Sequence, residues 1–182
     1  MKKLIAVACA AGAAALAVPA VAGAHAVVSP LQPQGTSLTS ARQLYVLRVP
    51  NEDAEHGTWK VVMLVPEAVQ ESIAFQKLPG WRVDLKRERT GRDDDHGHPL
   101  MKTTRVTWTA KSRDDEADPG FFQDFTFRFQ NPAAAGPVCF NVSQHYRRSE
   151  RRRAGGEVVR WFGNPTSETP ASCVNVTAAP AS

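Results

Sequence analysis

Residues 121–129 read Phe-Phe-Gln-Asp-Phe-Thr-Phe-Arg-Phe. From Phe125 onward each aromatic residue is followed by a polar one, and only the two-residue period of an extended strand puts Phe125, Phe127 and Phe129 on one face. A helix would scatter the three rings around its circumference. Pro119 and Gly120 turn the chain into this run, and a polar, alanine-containing connection at 131–137 leads out of it. Working outward, the same short apolar runs, broken by Pro, Gly, Asn and Asp, predict strands at 26–29, 41–49, 58–65, 69–77, 82–89, 102–110, 120–129, 138–146, 157–161 and 173–176. Further turns are expected at Pro79-Gly80 and at Gly155-Gly156, the latter as a hairpin corner. About eight to ten short strands without a helical stretch or an internal repeat predict an all-β chain folded as a single-domain, two-sheet β-sandwich.

The N-terminus has a different composition. Lys2 and Lys3 precede an apolar, alanine-rich run at 4–18, which Pro19 ends; Ala22 and Ala24 then provide the small residues of an A-x-A cleavage site. Residues 1–24 therefore read as a cleaved signal peptide, 25–176 as the folded domain and 177–182 as a disordered tail. A cut after Ala24 makes His25 the first residue of the exported protein. A competing cut after Ala20 would leave His25 in fifth position. The remaining 158 residues suffice for one hydrophobic core, and the expected location is periplasmic or secreted. No second apolar span follows, so no membrane anchor is expected.

The formal charge of +4 falls to about +2 once Lys2 and Lys3 are removed, too balanced for a nucleic-acid partner. Arginines at 147, 148 and 151–153, and aspartates at 93–95, read as solvated loops. Neither G-x-S-x-G nor a phosphate-binding P-loop occurs. Of the three cysteines Cys9 leaves with the signal. Cys139 and Cys173 are left to form a disulfide in an oxidising compartment, with soft metal ligation as the alternative. Only Met63 and Met101 follow the signal, too few for a methionine-rich Cu(I) site.

An N-terminal histidine offers a metal two nitrogens from one residue, its α-amine and Nδ1. The amine has a reference pKa of about 7.7–8.0, so a metal displaces its proton at little cost near neutral pH. His56, four residues after Glu52, is the one histidine able to supply a second imidazole. His96 and His98 follow the aspartate run and read as a hairpin tip, with an accessory metal site as the alternative. His145 reads as a structural, hydrogen-bonded histidine. Trp59, Trp81 and Trp108 are expected in the core.

Read in order, several segments resemble the YcnI-like domain family of exported bacterial proteins: His25 followed by Val27-Val28-Ser29-Pro30; Arg48-Val49-Pro50-Asn51-Glu52; Leu78-Pro79-Gly80-Trp81; Val106-Thr107-Trp108-Thr109-Ala110; Phe125-Thr126-Phe127 with Asn131-Pro132; and Gln144-His145-Tyr146 with Val159-Arg160-Trp161. The resemblance covers nearly all of 25–176. It implies a cupredoxin-like or immunoglobulin-like sandwich that binds Cu(II) through a mono-histidine brace at His25, with Glu52 and Trp161 completing the site. Cu(II) favours nitrogen and oxygen donors in a tetragonal arrangement, which an amine, an imidazole and the Glu52 carboxylate can meet. An indole N–H is a donor, so Trp161 would act by laying its ring against the metal. The function implied is copper trafficking or homeostasis by a non-enzymatic, monomeric carrier, with another copper-handling protein as partner. Two alternatives stay open: an oxidative copper enzyme with a two-histidine brace through His56, and a metal-free extracytoplasmic interaction module. The insertion at 91–100 and the basic stretch at 147–153 exceed the family's usual connections, and the C-terminal membrane segment common in the family is missing here, which favours a free carrier.

Overall fold

The computed structural model describes residues 25–32, 36–147 and 156–179; the leader at 1–24, the arginines at 148 and 151–153, Gly155 and residues 180–182 lie outside the described residues. Among the described residues eleven strands follow in chain order: β1 (Val27–Gln32), β2 (Ser37–Leu38), β3 (Arg42–Pro50), β4 (Thr58–Leu64), β5 (Ala74–Phe75), β6 (Trp81–Asp93), β7 (Pro99–Ala110), β8 (Phe122–Gln130), β9 (Gly136–Tyr146), β10 (Val158–Trp161) and β11 (Ser172–Thr177). They form a four-stranded sheet, β1-β3-β8-β5, and a seven-stranded sheet, β2-β11-β9-β4-β7-β6, with β10 also on β9. The expected all-β, two-sheet sandwich is what the chain forms. Among the described residues no helix is long and apolar enough to cross a membrane.

The phenylalanine strand is the centre of the core. In β8, Phe125, Phe127 and Phe129 are at most 1% exposed, and the intervening Thr126 and Arg128 face outward. Antiparallel pairing sets Leu47 opposite Phe125 and Tyr45 opposite Phe127. Tyr45 stacks on Phe129 at 4.2 Å, and Phe140, from β9 of the other sheet, meets Phe127 at 5.6 Å. The buried polar atoms here are partnered. Tyr45 donates its hydroxyl to Asn131 Oδ1 at 2.7 Å, while Asn131 Nδ2 donates to the Leu38 carbonyl at 2.7 Å.

One edge of β9 is shared end to end. Its first half, Gly136 to Phe140, pairs with β11, and Val142 to His145 pair with β10. Cys173 stands opposite Cys139, and the two form a disulfide, so the alternative of thiolate ligation does not hold. The closed loop has a sequence separation of 34. On a chain-entropy basis, replacing both cysteines by serine lowers stability by about 3–4 kcal/mol, read as a lower urea midpoint against the oxidised wild type.

Three expectations need correction. The strand expected at 69–77 is instead a short 3-10 turn (Glu67–Val69), a tight bend and only the two-residue β5. Pro66 starts that turn, and the amides of Val69, Ser72 and Ile73 are taken up within the segment, leaving little backbone for a ladder. Trp81 and Trp108 are buried as expected, but Trp59 is not in the core. The pairing of β4 with β9 slips between Thr58 and Lys60, and this bulge turns Thr58 inward where alternation from Val61 and Met63 would put Trp59. Finally, the tail is held beyond its expected start: Thr177 belongs to β11, and the Ala179 amide donates to Thr39 Oγ1 at 3.1 Å.

Candidate metal centre

His25 precedes β1 by two residues. Ladder pairs Val27–Arg48 and Val28–Leu47 fix the direction of β1 along β3, and continuing that register brings His25 level with the Pro50 end of β3. The other sheet holds the same strand: the Val28 amide donates to Ser172 Oγ at 2.6 Å, and Ala26 and Val28 are buried. With its start fixed on both sides, the His25 ring lies 5.3 Å from the Trp161 ring, tilted by 55°.

Glu52 enters from the loop after β3. Asn51, almost fully buried, donates to the carbonyls of His56 at 2.8 Å and Ala117 at 2.7 Å, and its Oδ1 accepts the Asp53 amide at 2.9 Å. Asp53 then accepts the Glu55 and His56 amides and the His56 Nδ1. Partial burial pushes the Asp53 carboxyl up, but those backbone and ring donors outweigh it and hold it below its ordinary value. The loop is thus pinned through its own side chains, and Glu52 projects from it, exposed, into a pocket of about 320 Å³.

Trp161 lines that pocket from β10, with Tyr146 from β9. Trp161 pairs with Val142, on the core-facing side of the sheet, and is 4% exposed. Asp53, Glu157 and Glu168 join Glu52, so four carboxylates surround two aromatic rings. The Tyr146 hydroxyl is pushed up to about 12, chiefly by burial, with the charges of Glu52, Asp53 and Glu157 adding to it and a backbone hydrogen bond from Glu52 opposing. It stays a neutral phenol near neutral pH. Glu168 and Thr169 return to the pocket because the loop folds on Gly163, whose amide donates to the Thr169 carbonyl at 2.8 Å. A Cβ on Gly163 would lie 1.9 Å from Ser167 Oγ, so a side chain there would displace the loop.

His25, Trp161 and Glu52 are thus brought to one end of the sandwich, His25 against the indole and Glu52 across the pocket that the indole lines. His56 is turned to Asp53, its Nδ1 3.1 Å from Oδ1. His96 and His98 occupy the tip of the β6–β7 hairpin, where Asp94 Oδ1 accepts both amides, and their rings are 6.4 Å apart. His145 is half-buried beside Trp59; desolvation, with the charges of Lys60 and Arg160, lowers its pKa to about 4, so it is a neutral imidazole. Among the described residues no three His, Cys, Asp or Glu side chains form a metal cage. The four carboxylates give this pocket a negative field that suits a cation. Tyr146, Glu157 and Glu168 were not among the residues that the sequence assigns to the site. The alternation of β9, which turns Tyr146 inward with Val142, was the available signal.

The fold and this pocket define an immunoglobulin-like β-sandwich with an aromatic and acidic pocket at the end where its first strand begins. A crystal structure of an uncharacterized protein from Nocardia farcinica, described as having an immunoglobulin-like fold, superposes with a TM-score of 0.63 at 24% identity, covering 84% of this chain and 97% of that one. The chain belongs to the family described as "Domain of unknown function (DUF1775)", which matches residues 25–176, in agreement with the YcnI-like resemblance. Among its relatives is the copper-binding protein CutI of Bacillus subtilis (strain 168), 32% identical over 158 residues. The alignment takes in 87% of this chain but 65% of that protein's length.

Proposed function

We propose that the protein is exported, cut after Ala24, and holds one Cu(II) ion through the amine and imidazole of His25 with the Glu52 carboxylate, as a periplasmic or secreted carrier in copper trafficking or homeostasis. The observation that carries this reading is the His25 ring beside Trp161, 5.3 Å away, at the pocket that Glu52 lines. The copper-binding relative supports the choice of metal. An oxidative two-histidine centre would have to draw its second imidazole from His56, whose Nδ1 is engaged by Asp53 and which keeps only Nε2 for a metal.

Copper is cargo in this reading. The chain's own tasks are to present a deprotonated amine and imidazole from one residue, to offset charge with Glu52, and to shield one side of the ion with the Trp161 ring. The test is intact mass together with Cu(II) titration and electron paramagnetic resonance on protein exported with its own leader. One copper in a nitrogen and oxygen environment, on a chain starting at His25, supports the reading. A chain starting elsewhere, or no stoichiometric uptake, refutes it.

Glu52→Gln keeps the shape of the side chain and removes its charge. Cu(II) binding weakens by at least ~10-fold, the loss that follows removal of even an outer partner of a metal ligand, but is not abolished. Competition titration against a chelator reads it; equal affinity would remove Glu52 from the site.

A further inference from the structure

Gln144 is completely buried on the inner face of β9, between Val142 and Tyr146 and opposite Val61 of β4. A buried amide is costly unless its hydrogen bonds are made, and an apolar side chain of the same length would fill this space among valines. Its bonds here reach three separate segments. Nε2 donates to the Pro50 carbonyl at 2.7 Å and to Thr58 Oγ1 at 2.8 Å, which uses both amide hydrogens. Oε1 accepts the Trp161 indole N–H at 3.4 Å, the longest of the three. An indole has a single donor and no acceptor, so this contact sets which way the ring is turned.

Pro50 leads directly into Asn51 and Glu52, and the Trp161 ring meets His25 at 5.3 Å. One amide therefore joins the carbonyl two residues before one proposed ligand to the ring that lies against the other. From this geometry we infer that Gln144 is a positioning residue of the metal centre: it orients the Trp161 indole toward His25 and locks the Pro50–Glu52 segment to the same point. The inference rests on the copper reading above. The bulge in β4 completes it, because without that slip Thr58 would not face inward to accept from Gln144.

The test uses the full chain, exported and cut at His25, as wild type, Gln144→Met and Gln144→Glu, with Trp161→Phe to assign the indole resonance. Methionine retains volume and removes all three bonds. Glutamate retains an acceptor for the indole and loses both donors. In metal-free protein the Trp161 indole N–H resonance should move in Gln144→Met and remain near its wild-type position in Gln144→Glu. Loaded with Cu(II), Gln144→Met should bind ~10-fold or more weakly and give an altered paramagnetic resonance spectrum. If Gln144→Glu does not fold, Gln144→Met decides alone. Unchanged indole resonance and unchanged copper spectrum in Gln144→Met, whatever happens to its melting temperature, would make Gln144 a packing residue and overturn the inference. A wild-type protein that takes up no stoichiometric Cu(II) overturns the copper reading and the metal-centre role together, a result distinguishable from a variant that binds as wild type does.

Discussion

Changing His25 to Ala, or leaving a single extra residue in front of it, should abolish tight Cu(II) binding and leave the sandwich folded. In the proposed site His25 supplies two of the donors, so one substitution removes the imidazole and breaks the chelate ring with it. The extra residue is the sharper experiment. It retains the imidazole, the Trp161 contact and every packed atom, and converts only the amine into an amide, which gives up its proton far less readily. His25 is partly exposed and lies before the first ladder pair, so the melting temperature should stay close to wild type. Isothermal titration with Cu(II) alongside circular dichroism reads both halves. Unchanged affinity in either variant would remove the brace. Binding should also weaken as pH falls below the reference amine range of about 7.7–8.0, because each copper taken up must displace a proton.

Phe127→Ala should have the largest effect on stability, about 3–5 kcal/mol. Phe127 is 1% exposed and meets Tyr45, Phe75, Phe129 and Phe140, so its ring touches residues of both sheets. Removing it opens a cavity where side chains fixed by two ladders cannot close in. For a domain of this size the loss lowers the melting temperature by about 10 °C. Urea denaturation with the disulfide intact is the measurement; a loss under 1 kcal/mol would mean that the two sheets reclose over the gap.

The phenylalanine strand was legible because its alternation is strict and its burial one-sided, so period and burial agree along all of β8. The segment at 69–77 was misread because Val69, Ile73 and Phe75 are apolar for another reason: they plug the end of the core while the backbone bends. Trp59 was misplaced by the β4 bulge, a one-residue phase change that composition does not reveal. At the candidate site, His25 was legible from the cleavage signal in front of it and the two nitrogens of an N-terminal histidine, whereas Glu52 and Trp161 came from motif resemblance, since residues so distant along the chain have no pattern that joins them. Gln144 and Tyr146 were hidden for a different reason. A polar residue in a strand reads as solvent-facing, although the alternation of β9 sets both in phase with Phe140 and Val142, and the structure buries them there.

The buried Ala26 follows His25 directly, and Val28 is already hydrogen-bonded to the opposite sheet. No slack separates the proposed cut from the packed strand. In the proposed function, leader and domain are therefore not interchangeable parts. A foreign leader trimmed one bond early or late, or an affinity tag left at the front, would yield a protein with normal expression, solubility and melting temperature but no copper site. Selection on the protein would then extend upstream into residues discarded before it works, with the specificity of the leader-cutting protease acting as the last step in building the binding site.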